Sequence, residues 1–162
     1  MTESNSVSGY ISYRAEYNVL ICRACKRCIS PINDGIRRHF MRKHKRVPLK
    51  TRNEIIEYSE SLRLVNPDEV AVPQAEIEVV EDLEVFTGWI CQESDDCREC
   101  CTTEGSMEKH CRAAHNWTVF KGQSWKKQSF QTFFRGPYVS YFPITSRFTC
   151  RVRRHHVIDI RS

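Results

Sequence analysis

Apolar, polar and turn residues follow one another in a similar order in two separate parts of this chain. In the first part, residues 17–21 (YNVLI) predict a short strand because apolar and aromatic side chains dominate them. Residues 35–45 predict a helix, which Asn33 or Asp34 would cap and which must end before Pro48. The pattern therefore predicts a strand region, a turn and a helix within this part.

The second part has the same order of elements. Residues 83–86 and 89–90 predict a pair of strands around Gly88. Residues 106–114 then predict a helix with an apolar face. The two parts therefore look like two versions of one small unit.

Three further segments lie between and beyond these parts. Residues 51–65 predict a helix with an incomplete apolar face, capped by Thr51 or Asn53. Residues 67–84 contain prolines and many acids, which predicts an extended linker. Residues 117–145 are rich in aromatic side chains, and we expect them to pack on the second part because so small a unit needs additional core.

Cysteine and histidine recur in the same order in both parts. The first contains Cys-x2-Cys followed by His-x4-His, and the second contains Cys-x5-Cys followed by His-x4-His. Two thiols and two imidazoles at such spacings suit a tetrahedral Zn²⁺, and closed four-ligand sites of this kind are structural. The predicted metal ligands are Cys22, Cys25, His39, His44, Cys91, Cys97, His110 and His115. The sequence thus predicts two structural zinc ions as cofactors.

Each part contains more cysteines than the two that a site needs, so the ligands must be chosen. We choose them by the apolar residues that must cover such a metal. Choosing Cys22 and Cys25 over Cys28 places Leu20, Ile29 and Ile36 at the covering positions of the first part. Pairing Cys91 with Cys97 places Trp89, Cys101 and Met107 at the covering positions of the second part. This second choice requires a wide five-residue knuckle, and Cys100 remains an open alternative to Cys97.

Composition favours metal binding over disulfide bonds as the use of the nine cysteines. The first residues are polar and mixed, so we expect no secretory signal, and no apolar run approaches the ~20 residues of a membrane span. Glu104 and Glu108 stand near the second motif, but neither forms an arrangement such as H-E-x-x-H. We therefore expect a non-catalytic protein that has neither a membrane nor a small-molecule substrate as a partner.

These motifs, in their order, resemble those of a fungal family named after the orsellinic acid cluster protein D. The likeness covers roughly residues 14–144 and is carried by residues 17–25, 36–44, 83–91, 106–115 and 129–134, with Tyr141 and Phe142. The resemblance implies a pair of separated C2H2-type zinc fingers, often at the start of longer chains. It implies no activity, because the cluster name describes none. The basic end from Ser146 does not follow the family pattern.

Charge is unevenly distributed along the chain, which has a formal net charge of +5. Residues 54–84 carry ten acids and one base, whereas residues 37–46 concentrate six bases: Arg37, Arg38, Arg42, Lys43, Lys45 and Arg46. This basic run predicts contact with the phosphates of DNA or RNA, although a solvated helix face is the simpler alternative. The run also resembles a nuclear import signal, so we expect a nuclear location and nuclear proteins as further partners.

Sequence-specific reading of a duplex is disfavoured. The helix positions that touch bases in DNA-reading fingers are occupied by Ile32, Gly35 and Arg38 in the first part and by Thr103, Ser106 and Lys109 in the second. In addition, residues 45–90 separate the two motifs, whereas tandem DNA-reading fingers need a short linker. The predicted function is a nucleic-acid-binding or nuclear interaction module. The alternative is a protein–protein interaction module whose acidic segment recruits basic partners.

The sequence therefore predicts a small α+β fold, made of two ββα C2H2-like zinc-finger units joined by a helix and an acidic linker. The predicted boundaries are a flexible start at 1–16, finger 1 at 17–47, the helix and linker at 48–82, finger 2 at 83–116, the aromatic segment at 117–145 and a basic tail at 146–162.

Overall fold

The structure is a computed structural model that describes residues 5–145 and divides them into two units. Unit 1 contains residues 5–73, 80–85 and 131–141, and unit 2 contains residues 74–79, 86–130 and 142–145. Helices and two separate sheets make this a small α+β fold, as the sequence predicts. The predicted basic tail at 146–162 lies outside the described residues. Within residues 5–145, no helix is long and apolar enough to cross a bilayer.

Unit 1 is a three-stranded antiparallel sheet with two main helices. Its elements are α1 (Asn5–Ser8), β1 (Ile11–Arg14), β2 (Val19–Cys22), β3 (Arg27–Cys28), α2 (Gly35–Lys43) and α3 (Leu49–Glu60), with a 3-10 helix at Gly136–Tyr138. The strands lie in the order β1-β2-β3, and Ile11 pairs with Cys22 while Arg14 pairs with Val19. The predicted flexible start is therefore wrong for residues 11–14, because β1 is held in the sheet by β2.

The core of unit 1 lies between β2 and the two helices. Leu20, Ile29, Ile36, Phe40 and Ile55 are buried together there. Burying side chains of this size stabilises a fold by roughly 1.5–3 kcal/mol each, so this cluster is a major part of the unit's stability. The helix α3 contributes Ile55 to it and is therefore part of the unit rather than a connection beyond it.

The observed bounds of α3 differ from the predicted 51–65. The helix begins after Pro48, whose φ of −52° suits entry into a helix, so neither Thr51 nor Asn53 is its cap. It ends at Glu60, and Leu62 and Leu64 pack against the core from the irregular segment that follows. The apolar residues that suggested a longer helix are thus partly buried without continuing it.

Part of the predicted acidic linker is an ordered component of unit 1. Val80 and Leu83 are buried, and the Gln131 side-chain amide bonds to the backbone of both residues. The Glu84 backbone N–H donates to the Lys26 carbonyl oxygen at 2.9 Å. The prediction of an extended linker over 67–84 is therefore wrong for residues 80–84, which are held by long-range contacts that charge and proline content do not reveal.

Unit 2 is a five-stranded sheet with one helix. Its elements are β4 (Ile77–Glu78), β5 (Phe86–Cys91), β6 (Cys100–Cys101), α4 (Glu104–His115), β7 (Trp125–Gln131, whose last residue is assigned to unit 1) and β8 (Phe142–Thr145), with a 3-10 helix at Val119–Lys121. The strand order is β4-β8-β7-β5-β6. The β5–β6 and β5–β7 pairs are antiparallel, and β4–β8 is parallel. The strands therefore extend the unit well beyond its cysteine motif.

The sequence predicts that Gly88 separates two strands. This prediction is wrong, because Gly88 lies inside the continuous strand β5. The backbone stays extended there, and the absence of a side chain lets two neighbours approach. A Cβ at this position would stand 2.3 Å from the Cys101 carbonyl oxygen and 2.6 Å from the Phe130 ring. Glycine is thus required by close packing rather than by a turn.

The aromatic segment at 117–145 is shared between the units instead of packing only on the second. Trp117 and Trp125 pack against Met107 in unit 2, with their ring centroids 5.0 Å apart. Phe133 lies in unit 1, with its ring centroid 4.8 Å from that of Tyr17. The segment therefore contributes aromatic core to both units.

We expect Gly88→Ala to lower the free energy of unfolding by about 1–3 kcal/mol, because the added methyl group overlaps backbone and ring atoms. The measurement is chemical denaturation of the purified protein. Gly105→Ala is the matched control, since its Cβ meets nothing within 4 Å and alanine favours the helix α4. Equal stability of the two variants would contradict the packing role of Gly88.

Candidate metal centres

The first Cys/His group lies at one end of the sheet in unit 1. Cys22 ends β2, Cys25 lies in the knuckle before β3, His39 is on α2, and His44 follows the last turn of that helix. The knuckle closes because Lys26 adopts a left-handed φ of 52° and its N–H donates to the Cys22 carbonyl oxygen at 2.8 Å. The strand end, the knuckle and the helix thus bring all four side chains to one point.

The four donor atoms of this group stand at distances that a tetrahedral metal requires. Cys22 Sγ is 3.4 Å from His44 Nε2, and Cys25 Sγ is 3.7 Å from His39 Nε2 and 3.4 Å from His44 Nε2. The two Nε2 atoms are 3.1 Å apart. Metal–ligand lengths typical of zinc give tetrahedral edges of roughly 3.3–3.8 Å. The three sulfur–nitrogen distances lie within this range, and the nitrogen–nitrogen distance is slightly shorter. The group could therefore hold a metal ion.

Burial shifts the pKa of three side chains of the first group. It lowers the pKa of His39 to about 4, with smaller contributions from His44, Lys43 and Arg27. Burial also lowers the pKa of His44 and raises that of Cys22 to about 11. At neutral pH the two imidazoles are thus neutral and able to coordinate, while the Cys22 thiol must lose its proton when a metal binds.

The second group has the same composition and a different knuckle. Cys91 ends β5, Cys97 lies in the following loop, and α4 carries His110 and His115. Cys97 Sγ is 3.3 Å from His110 Nε2, and the four donor atoms all lie within 4.8 Å of one another. The wide knuckle is folded on itself, because the Cys97 N–H donates to the Ser94 carbonyl oxygen at 3.1 Å.

His115 carries a further indication of a metal site. Its Nε2 is buried and has no hydrogen-bond partner among the described residues. Buried polar atoms without a partner are uncommon, because losing water without a replacement costs about 1–3 kcal/mol. A metal ion is the partner that the two thiols and the other imidazole around this nitrogen are suited to bind.

The spare cysteines occupy other places. Cys100 lies in β6 with its Sγ 3.5 Å from the Arg98 carbonyl oxygen, and burial raises its pKa to about 11. Cys28 is buried in β3, and its N–H donates to the Phe133 carbonyl oxygen at 2.9 Å. Neither thiol belongs to either four-residue group. The structure thus brings together the eight residues selected from the sequence and leaves these two thiols outside.

The residues expected to cover the metal surround both groups. Leu20, Ile29 and Ile36 are buried in unit 1, and Met107 is buried in unit 2 with Trp89 and Cys101 packed against it. These residues pack with Cys22 and Cys25 in unit 1 and with Cys91 and Cys97 in unit 2, so a bound ion would lie beside the core of each unit.

One thiol beside the second group was not identified as a neighbour of the ligands from the sequence. Cys111 is fully buried on α4, and its Sγ lies 3.8 Å from Cys91 Sγ. Its spacing from Met107 indicated only an apolar helix face. Because Cys111 stands four residues before His115 on α4, the helical period could have placed it beside the metal group.

Comparison with known proteins agrees with the family resemblance. The model of the family described as "Orsellinic acid/F9775 biosynthesis cluster protein D" matches residues 10–116. A curated protein of that description from Emericella nidulans is 29% identical over 135 residues, which is 83% of this chain and 26% of the relative. The chain thus spans about a quarter of the relative's length. No solved structure matches it.

We expect Cys97→Ser to remove one metal ion from the natively purified protein and Cys100→Ser to remove none, because only Cys97 stands within reach of the other three ligands. Elemental analysis of the two variants beside the wild-type protein provides the measurement. Loss of the ion from the Cys100 variant alone would assign the site to Cys100 instead.

Proposed function

This chain belongs to the family of orsellinic acid/F9775 biosynthesis cluster protein D, and we propose that it is a non-catalytic protein whose two Cys2His2 groups each hold a structural zinc ion. The observation that carries the proposal is the convergence of two sulfur and two nitrogen donors in each unit, where the four atoms all lie within 4.8 Å of one another. Zinc is preferred because this donor set and geometry are those of structural zinc sites.

The surroundings of the first group support a ββα finger. The strands β2 and β3 are antiparallel around the Cys22–Cys25 knuckle, and α2 follows with His39 on its inner face beside the buried Phe40. In unit 2, β5 and β6 pair around the wider knuckle, and α4 carries both histidines. We interpret each as a ββα unit to which the chain has added further strands or helices.

A structural role is favoured over a catalytic one. Four protein donors fill a tetrahedral shell, so they leave no position for a reacting water or substrate. The two carboxylates near the second group are engaged elsewhere. Glu104 accepts a hydrogen bond from Trp125 Nε1 at 3.1 Å, and Glu108 pairs with Arg112. Both carboxylates therefore make contacts within unit 2. These contacts account for them without a role as general base.

We expect the natively purified protein to contain two zinc ions and Cys22→Ser to contain one, with unit 1 unfolded and unit 2 retained. Structural zinc contributes about 10–16 kcal/mol of apparent binding free energy to small zinc-finger peptides, so its loss removes most of a unit's stability. Elemental analysis and near-ultraviolet circular dichroism provide the measurements. Cys28→Ala is the matched control, because this thiol lies outside the group. A wild-type protein with one ion or none would refute the assignment.

The proposed partner is nucleic acid, bound through its phosphates. The six bases of residues 37–46 are all exposed on or just beyond α2. Phosphate contacts position a protein on nucleic acid without reading its sequence. This mode of binding suits the first unit, because Ile32 and Gly35 stand at base-contact positions and have no side chain that can hydrogen bond to a base. The same basic run supports the proposal of a nuclear location. The acidic segment gives weaker support to the protein-interaction alternative, because Glu81, Asp82 and Glu84 already pair with arginines of unit 1.

We expect the protein to bind short DNA and RNA with an affinity that falls steeply as salt rises, because binding releases counterions from the phosphates. Fluorescence anisotropy at increasing salt provides the measurement. Two unrelated oligonucleotides of equal length are the matched control, and they should bind equally. Absence of binding at low salt would refute the nucleic-acid proposal and leave protein partners as the function to test.

A further inference from the structure

An open recess of about 350 Å³ lies beside the first metal group, entirely within unit 1. One wall is the exposed side of α2, and the others come from β3, the segment that precedes α2, and residues 134–138. The side chains that matter most here are five bases and one aromatic residue: Arg27, Arg38, Arg42, Lys43, Arg135 and Tyr138. The recess is therefore a cationic surface with an aromatic residue at its margin.

The positive charge of this recess is largely uncompensated. None of the residues that line it is acidic. Arg135 pairs with Glu84, whereas Arg27, Arg42 and Lys43 form no ion pair with any residue between 5 and 145. Clustered cations of like sign repel one another, so their convergence without acids favours an anionic ligand.

Only some of the bases in residues 37–46 line the recess. Arg38 and Arg42 are four residues apart on α2, so their side chains lie on the same face of the helix. Both line the recess, whereas Arg37, Lys45 and Arg46 do not. Arg37 instead pairs with Asp34 at 3.1 Å. Arg38 and Arg42 therefore line the recess, whereas Arg37, Lys45 and Arg46 lie outside it and only add to the positive charge of the surrounding surface.

The aromatic side chain completes the resemblance to a single-strand site. Tyr138 is 43% exposed, although most aromatic side chains of the surrounding segment are buried. Proteins that bind single strands combine a positive groove for the backbone with aromatic side chains on which bases stack. A recess of this size accepts an unpaired nucleotide, whereas the bases of a duplex are stacked inside and out of reach.

We infer that this recess binds single-stranded nucleic acid, with phosphates held by Arg27, Arg38, Arg42 and Lys43 and a base stacked on Tyr138. Arginine is suited to this task because its planar guanidinium can donate two parallel hydrogen bonds to one phosphate. The inference rests on the proposed nucleic-acid function and adds to it the site, the form of the ligand and a residue that contacts a base.

The first test compares two double variants that remove the same charge from the same segment. Arg38→Ala with Arg42→Ala removes two bases of the recess, and Arg37→Ala with Arg46→Ala removes two bases outside it. All four residues are exposed, so both variants should fold and retain zinc, which elemental analysis checks. By anisotropy with a labelled single-stranded oligonucleotide, we expect the recess variant to lose about tenfold or more in affinity and the control about twofold.

The second test concerns Tyr138. We expect Tyr138→Ala to weaken single-strand binding by about fivefold or more and Tyr138→Phe to retain it, because stacking needs the ring and not the hydroxyl. The duplex form of the same oligonucleotide should bind more weakly than the single strand and respond little to either change at Tyr138.

These experiments distinguish the recess from the general proposal. Equal losses in the two double variants, no effect of Tyr138→Ala, or tighter binding of the duplex would overturn the recess while leaving nucleic-acid binding intact. Displacement of the strand by a mononucleotide at equal phosphate concentration would also overturn it, since the site would then serve a small phosphorylated ligand. A wild-type protein that binds no nucleic acid would overturn both.

Discussion

In each unit two thiols and two imidazoles must meet within a few ångströms, and the local backbone is arranged to bring this about. In unit 1 a strand ends at Cys22, a tight knuckle presents Cys25, and one helix delivers both histidines. Burial lowers the pKa of His39 and raises that of Cys22, so these two side chains are neutral at neutral pH. Polar groups withdrawn from water need a partner, and a tetrahedral metal ion such as zinc is the partner that two thiols and two imidazoles suit.

Both units contain more structure than a minimal metal-stapled finger needs. In unit 1, β1 and α3 add to the sheet and the core, and residues 80–85 and 131–141 hydrogen bond beside the knuckle and β3. In unit 2, β7 pairs along the whole length of β5 and supplies Trp125 and Phe130. All of β7 lies beyond the part that the family model matches, yet its Trp125 belongs to the core of unit 2. The added elements enlarge cores that would otherwise be marginal.

The added segments of unit 1 also change the shape of the surface around α2. Residues 134–138 and Pro67 stand around α2 and turn a convex basic helix into one wall of a recess. Acids of residues 81–84 pair with Arg14 and Arg23 elsewhere in unit 1 and with Arg135 at the recess. Arg38 and Arg42 have no acidic neighbour among the residues that line the recess. Charge is thus distributed by tertiary contacts rather than by the net balance of a segment, which for residues 54–84 is strongly acidic.

The sequence by itself indicated the two Cys2His2 groups, with Cys100 left as an alternative to Cys97, the helices that carry the histidines and most of the covering apolar positions, and it identified the family. These features are local, because the spacing of cysteines in a knuckle and of histidines along a helix is set by backbone geometry. Only the tertiary structure decided that β5 runs through Gly88, that residues 80–85 and 131–141 belong to unit 1, and that Cys111 lies against Cys91. Each of these depends on contacts between residues far apart in the chain. Local propensity and charge carry no information about such contacts, because packing and hydrogen bonding to distant partners determine them.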